Sequence, residues 1–60
     1  MDVLFIKSQL AWIACNVKAA QDYLDNGNST AVHDELDFAE RAIARGRGEL
    51  ASARAKGGTP

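Results

Sequence analysis

Apolar residues recur along the first half of the chain at Val3, Ile6, Leu10, Ile13, Val17, Ala20 and Leu24. The steps alternate between three and four residues, the spacing of one helical ridge that seats against another helix. A second series, Val32, Leu36, Ala39, Ile43, Gly46, Leu50 and Ala53, repeats the spacing in the opposite phase. Between the two lies the stretch DNGNST at 25–30, where Gly27 can take the left-handed conformation that ends a helix and Ser29 or Thr30 can cap the next. Asn28-Ser29-Thr30 also has the form of a glycosylation sequon, but turn chemistry accounts for it without a secretory route. The pattern predicts a helix over 2–25, a turn over 26–29 and a helix over 30–55. These make one domain, 1–56, followed by a flexible tail at 57–60.

Folding the chain back on itself brings the two series into register. Leu24 then meets Val32, Ala20 meets Leu36, Val17 meets Ala39, Ile13 meets Ile43, Leu10 meets Gly46, Ile6 meets Leu50 and Val3 meets Ala53. Several of these layers set a large residue against a small one, which lets two helices approach closely without voids. The expected fold class is therefore all-α, an antiparallel helical hairpin. Charge order agrees: Asp34, Glu35, Asp37 and Glu40 precede Arg41, Arg45, Arg47, Arg54 and Lys56, as a helix dipole prefers. Asp37 and Arg41 are spaced as an i,i+4 pair. One conflict stands at Gly46–Gly48. Each glycine inside a helix costs about 1 kcal/mol relative to alanine, so the sequence leaves open whether the second helix is continuous there or kinks or breaks.

This seam leaves a second ridge uncovered. Phe5 and Trp12 lie seven residues apart on the first helix, with Ser8, Cys15 and Ala19 flanking them; Phe38 and Ala42 point the same way from the second, and Tyr23 borders the patch. Phe5, Trp12, Cys15, Phe38 and Ala42 are thus the candidate face for self-association or for a partner. Glu40, Arg41, Arg45 and Arg47 are the candidate exposed anchors. An apolar patch of this breadth is seldom left open on a soluble monomer. A second hairpin would cover it and complete a four-helix bundle.

Length sharpens this expectation. Sixty residues make one small domain, and a chain so short buries only about 60% of its unfolded surface. Small folds usually add a disulfide, a metal or a partner chain. One cysteine forms no internal disulfide, and one cysteine with one histidine is too little for a structural zinc site. A homodimer, or docking on a larger protein, is the staple that remains. A net charge of −1 favours neither nucleic acid nor its avoidance.

The apolar start of the chain does not fit a targeting signal. Asp2 stands where a secretory signal carries basic charge, and Lys7 interrupts the run. Trp12 occupies the place where a lipoprotein signal ending at Cys15 has an aliphatic residue. Ten residues separate Lys7 from Lys18, too few for a membrane span. The expectation is a cytoplasmic protein with no membrane partner, in a host cytoplasm if a phage encodes it.

In size, hairpin layout and large/small layering the chain resembles the plasmid-encoded Rop family, which implies a dimeric bundle that binds RNA. Small alanine-rich hairpins of this kind also look like regulators and inhibitors carried by bacteriophages and other mobile elements.

Candidate chemistry is sparse. Cys15 could be a nucleophile only with a base beside it, and His33 falls near the turn, away from it. His33, Asp37 and Glu40 share a helical side, but one chain does not close a coordination sphere around them. The basic residues of the second helix could bind phosphate, yet they spread around the helix beside acids and lack aromatics to stack on bases. Two helices enclose no pocket of enzyme size. No enzymatic activity, cofactor or metal is expected. The function expected is a protein-interaction module that regulates or inhibits a larger protein. A Rop-like RNA- or DNA-binding regulator and a structural subunit of a larger complex are the alternatives.

Overall fold

A computed structural model describes residues 1–57. Two helices, α1 (Val3–Asp25) and α2 (Ser29–Gly57), pack against each other as an antiparallel hairpin about 47 Å long. The expected tail falls outside the described residues except for Gly57, the last residue of α2.

Both helices start on side-chain caps. The Asp2 carboxylate accepts from the Phe5 backbone N–H at 2.9 Å and satisfies one of the donors that a helix start leaves free. At the turn, Asn28 rather than Ser29 or Thr30 is the cap: its side-chain oxygen accepts from the Ala31 N–H at 3.1 Å. Ser29 is already the first helical residue, so the turn is one residue shorter than expected. Gly27 adopts φ 71°, as the sequence predicted for the helix stop. The Asn28 N–H donates back to the Tyr23 carbonyl at 2.9 Å, closing the end of α1.

α2 runs unbroken through Gly46 and Gly48, which answers the question those glycines left open. The flanking residues are good helix formers and the seam holds this part of α2 against α1, which offsets the two glycines. The predicted Asp37–Arg41 pair is replaced by a different contact. The Arg41 guanidinium lies over the Phe38 ring, 5.8 Å from its centroid. The ion pair found among the described residues is Lys18–Asp22 at 3.1 Å, well exposed on α1.

The larger departure is the seam. Its buried residues are Asn16, Ala20, Ala39 and Ala42, with Ile6, Gln9, Ile13, Ala31, Val32, Glu35, Gly46, Glu49 and Ala53 half-buried beside them. Half of the predicted seam is not there. Val3, Leu10, Val17, Leu24, Leu36, Ile43 and Leu50 are 42–65% exposed. The physical reason is the size of the residues along the line of closest approach. Alanine and glycine let two helix backbones come together, whereas leucine at the centre would hold them apart. Each helix has turned so that its small residues face inward and its large aliphatic ridge points to one side.

Polar contacts pin this arrangement. Asn16 Nδ2 donates to Glu35 Oε1 at 3.0 Å, Arg45 Nε donates to Gln9 Oε1 at 3.0 Å, and the Asp2 N–H donates to Glu49 Oε2 at 3.0 Å. They tie the helices together at three heights along the hairpin.

Candidate functional site

With the seam filled by small residues, the large apolar side chains lie on two opposite flanks. The side-chain period of a helix decides which residues share each flank.

The first flank is aliphatic. Val3, Leu10, Val17 and Leu24 recur every seventh residue on α1, and Leu36, Ile43 and Leu50 do the same on α2. The two ladders converge. Leu10, Ile43 and Leu50 line one open groove of about 150 Å³, floored by Ile6, Ile13, Ala42 and Gly46 and edged by Arg47. No polar side chain but Arg47 lines it.

The second flank carries the aromatic residues. Trp12 is 50% exposed and Phe38 41%, with Phe5 half-buried and Tyr23 and Cys15 exposed near them. Polar groups cross this side. The Gln9–Arg45 hydrogen bond spans the two helices, and Arg41 covers part of the Phe38 ring.

The expected residues therefore separate. Phe5, Trp12, Cys15 and Phe38 share the aromatic flank. Ala42 does not join them: it is fully buried in the hairpin's own seam, where its methyl permits the close approach, so it offers nothing to a partner. The anchors Glu40, Arg41, Arg45 and Arg47 are all exposed but fall on both sides. Arg41 and Arg45 lie with the aromatics, while Arg47 edges the aliphatic groove and Glu40 sits one heptad before it. They do not form one basic stripe.

Sequence reasoning missed the aliphatic flank because it placed those residues in the seam. A signal was present. Ala39, Ala42, Gly46 and Ala53 form a small-residue line on α2, interrupted only by Glu49, and such a line marks the closest contact between helices.

His33, Asp37 and Glu40 remain exposed, and among the described residues no three His, Cys, Asp or Glu side chains converge as a metal site. No described helix is long and apolar enough to cross a membrane. Comparison with protein-family models, with curated proteins and with solved structures finds no match to this chain.

Proposed function

We propose that this chain is a non-enzymatic interaction module. It acts as a regulator or inhibitor, of the kind carried by phages and mobile elements, by laying helix surfaces on a larger protein. One observation carries the reading. Among the described residues the hairpin buries only three alanines and one asparagine, while twelve large hydrophobic side chains are at least 38% exposed. A fold of this size has little core to spare, and soluble monomers seldom leave so much apolar surface open.

The aromatic flank is the partner side in this reading. Trp12 and Phe38 supply large, stiff apolar area, and Arg41 and Arg45 supply charged donors around them, the residue types that dominate binding hot spots. The mechanism is steric: the flank occupies a groove or a subunit surface on the target. A cytoplasmic setting fits the single unpaired, exposed thiol of Cys15.

The test uses the tagged chain as bait in a lysate of its source cells. A target should be retained in near-equal amounts, and Trp12→Glu and Phe38→Glu should each abolish retention while helicity is unchanged. Retention by both variants, or none by the parent chain, contradicts the reading.

A further inference from the structure

We infer that the aliphatic flank is closed by a second copy of this chain, with the two turns at opposite ends of the resulting four-helix bundle. The inference rests on the interaction-module reading and assigns its other face.

The periodicity comes first. Residues exposed at every seventh position, on both helices and on one side, match the repeat of another helix pair and not that of an irregular partner. The area is also suitable. The hairpin measures 47 × 16 × 14 Å, so one long side has a footprint of roughly 650–750 Å², against roughly 800 Å² per partner in a standard interface.

Charge decides the orientation. Each ladder has one flanking position, four residues after one rung and three before the next. On α1 this position holds Lys7, Ala14 and Gln21; on α2 it holds Glu40 and Arg47, with Arg54 one heptad on. The Gln9–Arg45 hydrogen bond sets those two residues level, so Lys7 is level with Arg47 and Ala11 with Ile43. If both turns were at the same end, α1 would lie along the partner's α2 at these same levels. Lys7 would then oppose the partner's Arg47, twice by symmetry.

With the turns at opposite ends, like helices pair across a twofold axis. An axis level with Ile43 sets Ile43 against the partner's Ile43 and Leu36 against the partner's Leu50. On α1 the same axis, level with Ala11, sets Leu10 beside the partner's Leu10 and Val3 beside the partner's Val17. Glu40 then faces the partner's Arg47, and Arg47 the partner's Glu40. Lys7 meets the partner's Ala14, and Arg54 the partner's His33. Two opposite-charge pairs replace two like-charge pairs, which gives the interface its direction as well as its cover.

Two measurements test the inference. The first reads dimer dissociation of Arg47→Glu, Glu40→Arg and the double exchange by sedimentation. Each single variant should raise the dissociation constant by roughly tenfold, since each turns two attractive pairs repulsive, and the double exchange should restore it. The second places a spin label at Thr30→Cys in a Cys15→Ser chain. At 1.5 Å per residue from Ile43, labels in opposite-end dimers lie about 40 Å apart; in same-end dimers they lie within about 20 Å. A short distance, a double exchange as weak as the singles, or a monomer at high concentration overturns the proposal. None of these outcomes depends on whether a target is retained through Trp12 and Phe38, so the two readings fail separately.

Discussion

Asn16 and Glu35 face each other across the hairpin, Nδ2 to Oε1 at 3.0 Å, in the middle of a seam whose other buried residues are alanines. Asn16 is 4% exposed and its Oδ1 has no hydrogen-bond partner. A buried polar group stabilises only when satisfied, so this pair fixes position more than it adds stability. Asn16→Asp would set two carboxylates together out of water. It is expected to cost about 2–3 kcal/mol at pH 7. Urea unfolding of the parent chain and the variant checks this; an unchanged stability would contradict the placement.

The glycines of α2 offer a test of helix continuity. A methyl group at Gly48 would meet nothing within 4 Å, and one at Gly46 would meet only Gln9 Cβ at 4.0 Å. Gly48→Ala is expected to stabilise the protein by about 1 kcal/mol and Gly46→Ala by about 0.5–1 kcal/mol. A loss of stability in thermal unfolding at Gly48→Ala would mean that α2 breaks there after all.

Ala42 has no exposed surface, whereas Ala44 two residues on is exposed. Ala42→Leu should force the helices apart and cost about 1–3 kcal/mol, while Ala44→Leu should change stability by less than about 0.5 kcal/mol. Equal effects in a chemical denaturation series would show that the seam has been placed on the wrong residues.

The caps distinguish Asn28 from its neighbour. Asn28→Ala should cost about 1 kcal/mol, and Ser29→Ala less than about 0.5 kcal/mol. The reverse order of melting temperatures would return the cap to Ser29.

The hairpin itself was legible in the sequence, and so was the helix stop at Gly27, because heptad spacing and turn chemistry are local signals. The facing side of each helix was not. Val3, Leu10, Val17 and Leu24 share a continuous ridge with Ile6, Ile13 and Ala20, and spacing alone treats both halves of that ridge as equivalent. What separates them is side-chain volume at the point where the backbones meet, a property of the pair of helices and not of either one. The same ambiguity put Ala42 on a surface. Continuity through Gly46–Gly48 was open for a related reason, since propensity counts each residue's cost and leaves out the packing that offsets it.

The most direct test of the central claim is sedimentation equilibrium of the parent chain beside Ile43→Glu and Trp12→Glu. If the aliphatic flank is hidden by a second copy, the parent chain should run at twice its 6.4 kDa mass. Trp12→Glu should do the same, and Ile43→Glu should run as a single chain with lowered helicity. A parent chain that stays single at high concentration, with a melting temperature independent of concentration, would contradict the claim.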